Sequence, residues 1–153
     1  MKFSENCTND TFRVPFLFLH ASTFMYNKGK TEQEKIIMIR RENECTVEYR
    51  EHMRDGDGTV QLTGFIKGPE ELCGKGRLFS KITLQPGCSI GYHLHDTDSE
   101  LFYILSGTAE YNDNGTVCTV SAGDVTVCPP GESHGIANRT EKPVELIAVI
   151  VYA

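Results

Sequence analysis

The chain has 153 residues, of which 39% are hydrophobic and 24% charged. That is the profile of one folded domain with a core of its own. A net charge of −6 speaks against nucleic acid or an anionic membrane surface as a main partner, because both call for a basic patch, and no apolar run approaches the ~20 residues of a membrane helix.

The first 37 residues differ from the rest. "FRVPFLFLHASTFMY" is apolar but broken by Pro15 and His20, and "NKGKTEQEK" is polar and charged. As a secretory signal the segment is poor, because Glu5 and Asp10 accompany Lys2 and the apolar stretch is interrupted. Two readings stand for residues 1–37. They form an extension that adds a strand to the domain or to a partner subunit, or they lie upstream of a natural start at Met38. The domain itself is expected over 38–153.

From about Val47 the pattern is β throughout. The runs VEYREHM, TVQLTGFI, RLFSKITL, CSIGYHLH, ELFYILS, TAEYN, TVCTV, DVTVC, SHGIAN and VELIAVIVY are rich in β-branched and aromatic residues and are bounded by Gly, Pro, Asp and Asn. Asn114-Gly115 marks a two-residue hairpin. "KGPEELCGKG" alone suggests a helical turn. Ten short strands with tight turns predict an all-β sandwich or barrel. The six cysteines, Cys7, Cys45, Cys73, Cys88, Cys118 and Cys128, form no C-x-x-C pair. Reduced thiols in a cytoplasm are expected of them.

The chemistry concentrates in "GCSIGYHLHDTDSE". His93 and His95 stand two apart on a strand and share one face, while Tyr92 and Leu94 take the other. The loop "DTDS" then brings Glu100 onto the next strand. Two imidazoles and a carboxylate with open positions suit Fe(II) and related ions. Taken alone, H-x-H reads more readily as two satisfied surface histidines.

The wider spacing adds to this. Gly87, His93, His95, Glu100 and Gly107 fit G-x5-H-x-H-x4-E-x6-G. Gly123, Pro129, Gly131, His134 and Asn138 fit G-x5-P-x-G-x2-H-x3-N. In these ten positions the chain resembles the cupin superfamily, from about Arg40 to Tyr152. The resemblance implies a single-domain jelly-roll (double-stranded β-helix) barrel. It also implies one divalent transition metal (Mn, Fe, Ni or Zn) held by His93, His95, Glu100 and His134. The glycines and Pro129 read as turn-makers.

Alternation places Phe102 and Ile104 on the face of Glu100, and Ile136 and Asn138 on that of His134, so these four are the expected pocket residues and the wall reads as largely apolar. Arg77 and Lys81 read as a solvated edge. No general acid or base stands out: Tyr92 and Tyr103 point away, and His52 and His20 are distant in sequence. Leu101, Tyr103 and Leu105 form an apolar outer face that calls for a cover, and a homodimer is expected. The functional expectation is a metal-dependent enzyme acting on a small organic substrate, dioxygenase-like or related. The alternative is a ligand-binding or sensing module whose metal is structural or orients the ligand.

Overall fold

In a computed structural model of the chain, residues 39–153 are described. The expectations for residues 1–37 lie outside them. Ten strands run in order: β1 (Thr46–Glu51), β2 (Thr59–Gly64), β3 (Gly76–Leu84), β4 (Ser89–Leu94), β5 (Asp98–Ser106), β6 (Thr108–Asp113), β7 (Thr116–Ser121), β8 (Val125–Cys128), β9 (Ser133–Ala137) and β10 (Val144–Tyr152). They form two antiparallel sheets, a six-stranded one in the order β1-β2-β3-β10-β5-β8 and a four-stranded one in the order β4-β9-β6-β7. From β3 onward every connection crosses between the sheets except the β6–β7 hairpin, as in a jelly roll. The β6–β7 hairpin turns on Asn114 (φ 48°) and Gly115 (φ 93°), both left-handed. The helical turn read from "KGPEELCGKG" is a short 3-10 turn, Pro69–Leu72.

The core lies between the sheets. Val60, Leu62, Ile82, Leu84, Phe102, Ile104, Leu146 and Ala148 meet Ile90, Ala109, Tyr111, Val120 and Ile136. Burial alternates along β5 and β10, the period-2 signature of a sheet with one face inward. On the outer face of the larger sheet Tyr103, Leu105, Val125 and Val127 are exposed.

Two irregularities aim side chains at one end of the barrel. Ile90 opposes Ile136 and His93 opposes His134, so Gly91 and Tyr92 together face Gly135 alone. This bulge lets Ile90 and His93 both point inward, which strict alternation forbids. On β3, Leu78 opposes Ile150 and Gly76 opposes Val151. Arg77 is left over as the extra residue of a second bulge. Gly76 permits the close approach, since a Cβ there would collide with the Ile150 carbonyl oxygen.

Candidate metal centre

His93 on β4, His95 just beyond it, Glu100 on β5 and His134 on β9 converge. One ligating atom from each lies within 4.8 Å of all the others. The Nε2 of His95 is 3.2 Å from that of His93 and 3.1 Å from that of His134. Glu100 Oε2 is 2.9 Å from His134 Nε2, 3.1 Å from His95 Nε2 and 3.8 Å from His93 Nε2. His95, Glu100 and His134 are buried. Three nitrogens and one oxygen gathered in this way form a donor set that can hold a divalent ion.

Each ring is fixed from behind through Nδ1. His93 Nδ1–H donates to the Gly91 carbonyl at 2.9 Å. A carbonyl only accepts, so Nδ1 carries the proton and the neutral ring turns its Nε2 lone pair to the centre. His95 Nδ1–H donates to Asp98 Oδ1 at 2.6 Å, and Arg77 Nε–H donates to Asp98 Oδ2 at 2.7 Å. Arg77, Asp98 and His95 thus form a relay of the kind that orients metal-ligating imidazoles. His134 Nδ1 is 2.9 Å from the Tyr111 hydroxyl, and Phe102 stacks on the His134 ring at 5.0 Å with 19° between planes.

The electrostatics follow from these contacts. Burial alone would raise the Glu100 carboxyl, but hydrogen bonds from His134 and His95 outweigh it and hold the carboxyl below its usual range. The hydrogen bond to Glu100, aided by Asp98, raises His95 against its burial. Burial lowers His93. Asp98 also sits below its usual value, with burial opposing and the hydrogen bonds of Arg77 and His95 prevailing. Burial pushes the Tyr111 phenol up to about 12, so its proton stays in place.

Tyr111 offers a test of fit for a metal. With His134 Nε2–H given to Glu100, Nδ1 accepts from the Tyr111 hydroxyl. Ligation by Nε2 moves that proton to Nδ1, and Tyr111 must then accept and donate elsewhere. Beside it the Thr126 hydroxyl is buried and makes no well-formed hydrogen bond among the described residues, although it lies near enough to draw the Tyr111 phenol down against the effect of burial. It is an acceptor waiting for that proton, so the residues fit a metal-loaded state.

A cavity of about 510 Å³ opens over the cluster, with His93, His95 and Glu100 lining its floor. Its rim departs from the apolar expectation. Arg50, Arg54, Arg77 and His52 line it together with Glu51, Met53, Leu78 and Ile150, so the rim carries three guanidinium groups against one carboxylate. Arg77 reaches inward because of the β3 bulge, whereas Lys81 faces out and pairs with Glu145 at 3.2 Å. His52, distant in sequence, arrives on the loop after β1. Phe102, Ile104, Ile136 and Asn138 are not among the cavity-lining residues. The first three pack in the core. Asn138 Nδ2 donates to the Leu84 and Lys142 carbonyls, and its Oδ1 accepts from Thr140 N and Oγ1, so it ties a turn together. Period-2 counting gives their face but not their depth.

A jelly-roll barrel with three imidazoles and one carboxylate converging at one open end defines a class of small single-barrel metal-site proteins. Residues 80–150 match a family model for the cupin domain. An oxalate-binding protein of Thermotoga maritima is 39% identical over 114 residues, 74% of this chain and 93% of the relative. A Thermotoga maritima crystal structure described as a predicted oxalate decarboxylase superposes with a TM-score of 0.72 at 38% identity, covering 76% of this chain and all of the other. A Klebsiella pneumoniae double-stranded β-helix protein superposes at 0.56 with 23% identity, covering 76% of this chain and 90% of the other; that likeness bears on the fold alone. The chain belongs to the cupins.

Proposed function

We propose that this protein is a cupin that holds one divalent transition metal (Mn, Fe, Ni or Zn) on His93, His95, Glu100 and His134 and takes a small carboxylate such as oxalate as its ligand. The observation that carries this reading is the excess of arginines on the lining of the cavity that also takes in the donor cluster. Arg50, Arg54 and Arg77 line a cavity whose floor is His93, His95 and Glu100. Guanidinium groups match carboxylates in charge and geometry. The oxalate-binding relative from Thermotoga maritima supports the same class of ligand. When bound, the metal would polarise a carboxylate oxygen as a Lewis acid. The chain's own residues would orient the ligand and neutralise its charge.

Turnover of the carboxylate is the fuller form of the reading, and binding alone is the lesser one. The relative described as a predicted oxalate decarboxylase favours turnover. The test uses metal-loaded full-length protein. Calorimetric titration with oxalate is expected to show saturable binding, and its absence would sink the carboxylate reading. Oxygen uptake and release of carbon dioxide or formate then separate an enzyme from a binding module.

The same reading includes a cytoplasmic homodimer, with residues 38–153 as the barrel and 1–37 as an extension. The dimer rests on Tyr103, Leu105, Val125 and Val127, whose exposure on one sheet face calls for a cover. A monomer in light scattering at micromolar concentration would remove it.

A further inference from the structure

We propose that Arg54, an exposed residue held on the cavity lining by the left-handed turn His52–Asp55, is the residue that makes the site prefer a dicarboxylate to a monocarboxylate. The inference rests on the carboxylate reading above and assigns its selectivity to one side chain.

Three observations converge on this residue. The first is backbone conformation. His52, Arg54 and Asp55 have φ of 49°, 55° and 61°, a region that L side chains enter rarely. The turn is nonetheless held firmly. His52 N–H donates to the Gly58 carbonyl at 2.9 Å and Asp55 N–H to the His52 carbonyl at 3.0 Å, and His52 Nδ1–H donates to the Gly56 carbonyl at 3.1 Å. Backbone strain kept under such restraint clusters at sites of function.

The second is docking. The turn lies against β4 at two glycines. A Cβ at Gly91 would collide with the Arg54 carbonyl oxygen, and one at Gly56 with the Ser89 carbonyl oxygen. Gly91 is also the residue whose carbonyl receives His93 Nδ1–H. One backbone position therefore orients a metal-site imidazole and fixes where Arg54 stands.

The third is charge. Arg50 is paired with Glu48 at 2.8 Å and Arg77 with Asp98 at 2.7 Å. Among the described residues Arg54 has no ion-pair partner, not even with Glu51, which lines the same cavity. A ligand with one carboxylate at the donor cluster and a second toward the mouth would find its counter-charge here. A ligand with one carboxylate would not.

The test loads the full-length protein with Mn(II) and titrates it with oxalate and with acetate, for wild type, Arg54→Gln and Arg54→Asn. Asparagine is included because it tolerates left-handed backbone. Both variants are expected to lose roughly tenfold to a hundredfold in oxalate affinity, the range for a lost charge-assisted hydrogen bond, with acetate affinity falling far less. The ligand-free, Mn-loaded Arg54→Asn protein is expected to melt at or above the wild-type temperature. Oxalate affinity indifferent to both substitutions would overturn the inference while leaving the carboxylate reading intact. Parallel loss for oxalate and acetate, or a lower melting temperature in Arg54→Asn, would overturn it by reducing Arg54 to a structural part. Wild type that binds neither anion would end both.

Discussion

At the floor of the cavity, His95, Glu100 and His134 are buried and every imidazole is tied from behind. At the rim, Arg50, His52, Arg54 and Arg77 are solvent-exposed, and His52, Arg54 and Asp55 carry backbone of a kind that costs about 1–3 kcal/mol per residue. Floor and rim meet at Gly91, which serves both. The difference teaches that the two halves have different tolerances. The floor is specified by mutual contacts and should fail as a unit, whereas the rim is specified by backbone placement and should change residue by residue.

The largest effect is expected at the floor. The double substitution His93→Ala, His95→Ala removes two of the four donors and should abolish stoichiometric metal, measured by elemental analysis of purified protein. Full metal content in that variant would break the assignment of the floor, and with it the contrast between the two regions.

Asp98 comes next, because it links the regions: its carboxylate accepts hydrogen bonds from Arg77 Nε–H at the rim and from His95 Nδ1–H at the floor. Asp98→Asn should lower metal affinity about 10–100-fold, as losses of such orienting partners do. Its pH signature in the metal-free protein is specific. His95 is raised, so its contribution is fully present below about 6.5 and fades as pH rises through its folded value. Asp98 is lowered, so its contribution is present above about 3.9 and fades as pH falls through its folded value. The melting-temperature advantage of wild type over Asp98→Asn should therefore be greatest between about pH 4 and 6.5 and shrink toward pH 8 and beyond. Comparing the two proteins cancels His93, which burial shifts the opposite way. In the loaded protein protons compete with the ion, and metal should be lost as pH falls below about 6.5. An advantage that grew toward alkaline pH would refute the pair.

Much of the floor was legible in the sequence, and the rim was not. His93, His95, Glu100 and His134 stand at motif spacings, and the jelly roll follows from ten short strands with turn residues between them. Even there, Ile90 and His93 both face inward only because two residues of β4 oppose one of β9, which no count by twos foretells. At the rim the same device turns Arg77 toward the cavity, on a strand whose register is ambiguous in the sequence and whose basic residues read there as a solvated edge. His52 and Arg54 were hidden for another reason. They sit in a turn with left-handed residues that are not glycine, and nothing in "EHMRDG" announces that such a turn folds over β4. The apolar wall expected from Phe102, Ile104 and Ile136 is real as packing, but it lies in the core.

Tyr111→Phe tests a quieter part of the floor. It deletes the hydroxyl beside His134 Nδ1 and leaves the Phe102 stack in place. Metal affinity should drop by a few-fold up to about tenfold, the lower end for such partners. Thr126→Val should act in the same direction and add little once Tyr111 is phenylalanine, since both changes interrupt one chain of hydroxyls. Competition with a metal-binding dye gives both numbers. Strict additivity would show that Thr126 does not receive the Tyr111 proton.

The smallest effect is expected at Lys81, and it sharpens the comparison by being small. Lys81 and Arg77 are both basic and lie on the same strand, and only the bulge separates their fates. Lys81 faces outward, half-exposed, with Glu145 at 3.2 Å. A surface pair of this kind is worth about 0–1 kcal/mol. Lys81→Ala should therefore shift stability by no more than that in chemical denaturation, and it should leave metal and oxalate affinity at wild-type values. Arg77→Ala, by contrast, releases Asp98 and opens the rim, so it should weaken the metal. Equal consequences for the two substitutions, in either direction, would mean that the bulge does not divide inside from outside at this strand.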